Sequence, residues 1–221
     1  MARFVRRPNR FLIIAEKDGK EINCHCPNPG RLSELLFPGA ELILERRSSG
    51  WTAGAVKIAG KNRGSGIVPL YSSRANLAAE KLLLNRIIPG LKEIRREYKI
   101  GDSRFDFLCI DRDGGRHLVE VKACSLVEQG VAMFPDAPSE RALRHLEELK
   151  RFCDGGINSR EKGISHIIFL IMQGRPKIFI PNLHTDPAFA QALCNRAAIC
   201  RGASISENSH KKLNIHAALI R

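Results

Sequence analysis

Phe105-Asp106-Phe107-Leu108-Cys109-Ile110 and His117-Leu118-Val119-Glu120-Val121-Lys122-Ala123 are two apolar runs, joined by Asp111-Arg112-Asp113-Gly114-Gly115. Such runs on either side of an Asp/Gly-rich turn predict a β-hairpin. Folded about Asp113, the hairpin sets Leu108 opposite Leu118 and Asp106 opposite Glu120. Opposed residues project to the same face. Lys122 shares that face with Glu120, because side chains alternate along a strand. A slip of one residue would send the two acids to opposite faces. Facing carboxylates repel, and a divalent cation between them removes the penalty.

Two carboxylates and an amine at one spot suit phosphodiester chemistry. Carboxylates hold Mg²⁺ or Mn²⁺ through oxygen, and such an ion keeps positions for water and phosphate. Bound metal lowers the pKa of an attacking water. A neighbouring lysine orients that water or offsets developing negative charge. Asp106, Glu120 and Lys122 are therefore the candidate catalytic residues. Asp106 and Glu120 are the candidate ligands for Mg²⁺ or Mn²⁺, with a backbone carbonyl near Val121 as a third. The competing reading is a salt bridge between Lys122 and one acid on a solvated sheet face.

Composition points the same way. The 221 residues hold 36 Lys and Arg against 23 Asp and Glu, a formal charge of +13. An excess of this size implies a polyanionic partner, most often nucleic acid. The 43% apolar content supports one large domain or two small ones. No apolar run reaches the length of a membrane span. The run 11–15 is too short for a signal-peptide core, so a cytoplasmic protein is expected. Seven scattered cysteines argue against a disulfide framework. Cys24-His25-Cys26 invites a zinc reading, but no second pair at ligand spacing accompanies it, and buried thiols are the expectation.

Short strands are predicted at 10–17, 20–26, 41–46, 51–58 and 67–71. Five of them at close spacing suggest a small OB-like barrel. Residues 1–79 carry 13 Lys and Arg against 6 acids, a net +7. Exposed basic loops track phosphate backbones, and Arg10, Arg31, Lys57, Lys61 and Arg63 are the candidate DNA contacts here. Helical periodicity begins near 75 and stops at Pro89-Gly90. Strands are predicted at 91–99, 103–110 and 117–123. A helix capped by Asp136 or Ser139 follows, then strands at 164–172 and 177–180, a helix from 186, and a last strand at 213–220. Helix, three strands, helix, strand is an α/β order. The expected division is 1–73, a basic OB-like domain, and 74–221, an α/β domain. Arg141, His145 and Glu148 share one face of the helix after Ser139. Arg141 is the candidate phosphate contact, His145 reads as structural, and Glu148 as solvated.

This order, with Asp106 on the second strand and Glu120-Val121-Lys122 on the third, resembles the restriction-endonuclease-like PD-(D/E)xK nucleases. The resemblance adds Glu80, on the preceding helix, as a further catalytic acid. A closer resemblance spans nearly the whole chain. It rests on Cys26-Pro27-Asn28-Pro29-Gly30-Arg31-Leu32, Leu35-Leu36-Phe37-Pro38-Gly39-Ala40, Ser103-Arg104-Phe105-Asp106-Phe107, Val119-Glu120-Val121-Lys122 and Phe134-Pro135-Asp136-Ala137-Pro138-Ser139-Glu140-Arg141. These segments are similar to the sugar fermentation stimulation protein family. Pro29 departs from it, since many members have threonine there. The resemblance implies an amino-terminal OB-like domain, a nuclease-like carboxy-terminal domain and DNA binding without sequence preference. Two functions follow from it: a metal-dependent deoxyribonuclease, or a non-enzymatic DNA-binding regulator of sugar (maltose) metabolism genes that keeps the nuclease fold. Intact Asp106, Glu120 and Lys122 favour the first. No helix-turn-helix or zinc finger is visible to read base edges. The oligomeric state stays open, a homodimer included.

Overall fold

In a computed structural model, which describes residues 1–60, 64–155, 162–173, 176–195 and 213–219, the chain begins with a strand, β1 (Ala2–Asn9). The sequence pattern predicts no strand before residue 10. Ala2 and Phe4 are buried while Arg3 and Arg6 are exposed, but a bulge between Phe4 and Arg6 breaks the alternation. A short and interrupted period of two hides a strand from pattern reading.

Four further strands, β2 (Leu12–Lys17), β3 (Lys20–His25), β4 (Glu41–Arg47) and β5 (Gly50–Gly60), complete a closed five-stranded barrel. Neighbours pair antiparallel, and a parallel β3–β5 pair, Cys24 with Trp51 and His25 with Thr52, shuts the ring. Closure removes exposed sheet edges. The barrel thus uses β1, while β6 (Gly64–Pro69), expected as its fifth strand, pairs only along β5. Ile13, Ala15, Leu42, Ala53, Val56 and Cys24 fill the interior.

One guanidinium organises the loop after β3. Arg7 donates to the carbonyls of Asn28, Gly30, Arg31 and Arg10 at 2.6–2.7 Å. Carbonyls in a non-regular loop need such partners, and the planar five-donor fork of arginine supplies several at once. The same compact unit also takes in Cys124–Asp136 and Ile171–Ile180 beside Met1–Arg74. There β10 (Val127–Glu128) and β11 (Val131–Phe134) form a hairpin about Gln129 and Gly130, both at positive φ, and β11 pairs with β13 (Ile178–Pro181). Positive φ at both central residues marks a type I′ turn. Gln-Gly is a weaker signal for it than Asn-Gly, and the sequence reading places no element there.

The second unit comprises Ala75–Ala123, Ala137–Leu170 and Pro181–Arg221. Helices α1 (Ser72–Leu82) and α2 (Leu84–Ile87) precede β7 (Leu91–Ile100), β8 (Ser103–Asp111) and β9 (Arg116–Cys124), which pair in sequence. Helix α3 (Glu140–Asp154) follows, then β12 (Ile164–Ile171), α4 (Pro187–Cys194) and β14 (Leu213–Leu219). The sheet order is β14-β12-β9-β8-β7, so β8 and β9 lie inside it with both faces covered. Their burial shows it: Phe105, Phe107, Leu108, Cys109, Leu118 and Val119 are at most 2% exposed. Ser139 caps α3 by accepting from the Ala142 amide at 3.1 Å. Asp186 caps α4 through the Phe189 amide and takes the Ser139 amide on its other oxygen, both at 3.0 Å.

Five cysteines, at 24, 26, 109, 124 and 153, are buried and in no disulfide; Cys194 is exposed, and Cys200 lies outside the described residues. Among the described residues, no helix is long and apolar enough to cross a membrane.

Candidate active site

The β8–β9 hairpin has the register expected from its turn. Leu108 pairs with Leu118 and Phe107 with Val119. Asp111 fixes the turn, its Oδ1 accepting from the amides of Asp113 at 3.0 Å and Gly115 at 2.7 Å. The paired ladder runs from Ile110 and Arg116 to Phe107 and Val119. One residue further on, Asp106 Oδ2 accepts the Val121 amide at 2.7 Å. The carboxylate therefore enters the gap between the strands, and Oδ1 accepts from Asn76 Nδ2 of α1 at 2.6 Å. Burial, and then the charge of Glu120, push the Asp106 carboxyl up to about 6, against the Val121 amide, Lys122 and Asn76.

Glu120 is 4% exposed. Its Oε1 accepts from Lys122 Nζ at 2.5 Å and from His145 Nδ1 of α3 at 2.8 Å. Burial pushes this carboxyl up, but the His145 hydrogen bond and the Lys122 charge outweigh it, and Glu120 lies below the usual carboxylate range. With Glu120 ionised, His145 Nδ1 carries the proton. The imidazole is buried and packs against Phe105, ring centroids 5.2 Å apart. Sequence reading took His145 as structural; the structure puts it on the candidate catalytic glutamate. Asn76 carried no sequence signal beyond its helix, since an amide on an α1 turn is common. Spacing places Asn76 one turn before Glu80.

Glu80 itself is held elsewhere. Arg96 of β7 grips both its oxygens, Nε at 2.8 Å and Nη2 at 2.7 Å, and that hydrogen bond holds its pKa below the usual value. Arg141 is exposed at the start of α3. Glu148 is buried at 8%, not solvated as its charge suggested, with Arg151 at 4.0 Å. In the barrel unit, Arg10 and Arg31 are exposed, and Lys57 pairs with Glu41 at 3.0 Å on the surface. Lys61 and Arg63 lie outside the described residues.

Glu120 Oε2 is buried and has no hydrogen-bond partner. An ionised oxygen left so is costly. A cation answers that cost, and Asp106, raised by burial and then by the charge of Glu120, supplies the second carboxylate. Val121 joins through its amide, and its carbonyl is the candidate third ligand. Among the described residues, no three His, Cys, Asp or Glu side chains converge as a metal cluster. Two carboxylates with the remaining positions left to carbonyl, water and phosphate suit Mg²⁺ or Mn²⁺ better than zinc.

Two family models cover most of the chain. The SfsA N-terminal OB domain matches residues 5–62, and the sugar fermentation stimulation protein RE domain matches residues 73–206. The sugar fermentation stimulation protein homolog of Clostridium botulinum (strain Alaska E43 / Type E3) is 37% identical over 193 residues, 86% of this chain and 81% of that protein. The homolog of Methanothermobacter thermautotrophicus is also 37% identical over 193 residues, 86% of this chain and 78% of its own. A solved structure of Pyrococcus furiosus SfsA in complex with Ca²⁺ has a TM-score of 0.76 at 27% identity, covering 99% of this chain and 87% of that one. An OB barrel followed by a restriction-endonuclease-like α/β domain is thus the shared architecture, and this chain belongs to the sugar fermentation stimulation protein family.

Proposed function

We propose that this protein binds DNA without sequence preference and hydrolyses phosphodiester bonds at Asp106, Glu120 and Lys122, with Mg²⁺ or Mn²⁺ held by the two carboxylates. The observation that carries the reading is the buried, unpartnered Oε2 of Glu120 in a cluster with Asp106. The Pyrococcus furiosus relative in complex with Ca²⁺ supports a divalent ion in this family.

When bound, the cation supplies charge to the phosphate and acidifies a water. The chain's own groups do the rest. Asp106, fixed by Asn76 and the Val121 amide, presents a carboxylate with little freedom left to lose. His145 holds Glu120 Oε1, which leaves Oε2 as the oxygen that would hold the cation. Lys122 is 15% exposed at its side chain and sits on the same carboxylate. Its ammonium stands where it can orient water or offset negative charge building on the phosphate. Basic surfaces on both units supply nonspecific attraction to the backbone.

The test is incubation of purified protein with labelled single- and double-stranded DNA in Mg²⁺, Mn²⁺ or EDTA. Cleavage in either cation, absent in EDTA and in Asp106→Asn, is expected. Binding with no cleavage in any cation would leave a DNA-binding protein on a nuclease frame.

A further inference from the structure

Helix α1 meets the acidic pair through an amide. Asn76 is half-buried, and its Nδ2 donates to Asp106 Oδ1 at 2.6 Å. An ionised carboxylate only accepts hydrogen bonds, so the nitrogen end of the amide is the end that faces it. Residues four apart on a helix share a face, and four residues on from Asn76 stands Glu80, the only acid of α1. Arg96 takes both oxygens of Glu80 at 2.7–2.8 Å. The helix therefore brings a neutral donor to Asp106 and keeps its carboxylate on an arginine.

The positions left for a cation can be counted. Each carboxylate oxygen has about two lone-pair sites. On Glu120, Oε1 spends both, on Lys122 Nζ and His145 Nδ1, while Oε2 keeps both. On Asp106, Oδ2 spends one on the Val121 amide and Oδ1 one on Asn76. Oε2 of Glu120 with one oxygen of Asp106 makes a place for one ion. A pair of ions needs more. Paired ions stand about 3.5–4 Å apart, and a carboxylate between them gives one oxygen to each. Asp106 could bridge in that way only with a further acid beyond it, and Asn76 holds that place.

Charge gives the same answer. Two carboxylates and the Lys122 ammonium leave a single net negative charge, which one divalent ion already exceeds. A second ion would meet like charge with no further acid to offset it. Among the described residues, no three His, Cys, Asp or Glu side chains converge to supply one.

We propose that Asn76 restricts this site to a single divalent cation, and that an acid in its place would complete a second cation site across Asp106. The Lys122 ammonium then supplies the second positive charge near the phosphate. The inference rests on the cation reading above and adds the number of ions to it.

Mn²⁺ is titrated into the full chain by calorimetry, and the loaded protein is examined by electron paramagnetic resonance. An isolated Mn²⁺ shows a resolved hyperfine pattern, and two ions at bridging distance couple and lose it. Wild type should take up one ion per chain and show the isolated pattern. Asn76→Asp should take up two, with a coupled signal. Leu77→Asp adds the same charge at the next position of α1, where the side chain is 47% exposed, and should stay at one ion. Circular dichroism checks that each variant is folded. A second ion in wild type would overturn the inference and leave the cation reading standing, and that arm depends on no variant. A single ion in folded Asn76→Asp, or a second ion in Leu77→Asp, would overturn it as well. No Mn²⁺ uptake by wild type would remove the inference and the cation reading together.

Discussion

His145 Nδ1 donates to Glu120 Oε1 across 2.8 Å, and both side chains are buried. The bond joins α3 to the central strand β9 and orients one carboxylate oxygen so that the other is left without a partner. A group that holds a ligand in place typically alters metal affinity or activity by 10–100-fold when removed. His145→Phe keeps ring volume against Phe105 and deletes the donor. Mn²⁺ affinity and cleavage are expected to fall by about tenfold to hundredfold, while DNA affinity in EDTA stays at the wild-type value. Unchanged Mn²⁺ affinity, measured by calorimetry, would reduce His145 to core packing.

Lys122 reaches Glu120 at 2.5 Å, which is also what a plain ion pair looks like. The two roles separate in Lys122→Ala. A lysine acting on the attacking water or on transition-state charge predicts a loss of about hundredfold or more in cleavage rate, with DNA binding retained. A wild-type rate would make it only a partner for the glutamate.

DNA affinity should fall steeply with salt. If about five phosphates are neutralised, the slope of log K against log salt is about −4.5. Lys57 is paired with Glu41, but an exposed pair of this kind is weak enough for phosphate to compete. Alanine at Lys57, Lys61 and Arg63 together should flatten the slope by up to about three units. An unchanged slope in a filter-binding or anisotropy series would move the DNA surface to the α/β unit. A strong preference for one duplex over scrambled competitor would contradict nonspecific binding.

Three histidines form a line across neighbouring strands. His117 Nε2 is 3.0 Å from Asp111 Oδ2, His117 Nδ1 is 3.0 Å from His166 Nε2, and His166 Nδ1 is 3.1 Å from His216 Nε2. Burial, and then the charges of His216 and His117, hold His166 well below 6.5, and burial lowers His216 to about 4. In the unfolded chain the rings of His166 and His216 take protons below about 6.5, while in the fold they stay neutral. Their stabilising contribution is therefore complete above about 6.5 and is lost as pH falls toward 4. Asp106, raised to about 6, has the opposite sign: its contribution is complete below its unfolded value of 3.8 and is lost as pH rises through 6. Comparison with a variant isolates the histidine share. Between pH 7.5 and pH 5, wild type should lose about 1–2 kcal/mol more in urea unfolding than His216→Asn. Equal losses would mean that His216 is protonated in the fold.

The hairpin was legible because Asp113-Gly114 sits midway between two runs rich in apolar residues, so turn chemistry alone fixed the pairing of Leu108 with Leu118. Helix starts were legible for the same local reason: Ser139 was one of two candidate caps, with Asp136, and the second helix was expected from 186. The parallel β3–β5 closure was not, since it depends on contacts between residues far apart in sequence. Nor were Asn76 and His145 visible as neighbours of the two acids. Each lies on a helix at ordinary spacing, and only the packing of α1 and α3 against the sheet gives it a partner. Glu80 shows the converse: helix position suggested a role, and Arg96, across on β7, engages both its oxygens.

Calorimetric titration of Mn²⁺ into wild type, Asp106→Asn, Glu120→Gln and Glu80→Gln tests the cation site most directly. The expected result is one ion per chain in wild type, the same affinity in Glu80→Gln, and a loss of tenfold or more on the order expected for a removed ligand charge in the other two. Equal Mn²⁺ affinity in all four proteins would contradict a divalent-cation site at Asp106 and Glu120, and with it the metal-dependent nuclease.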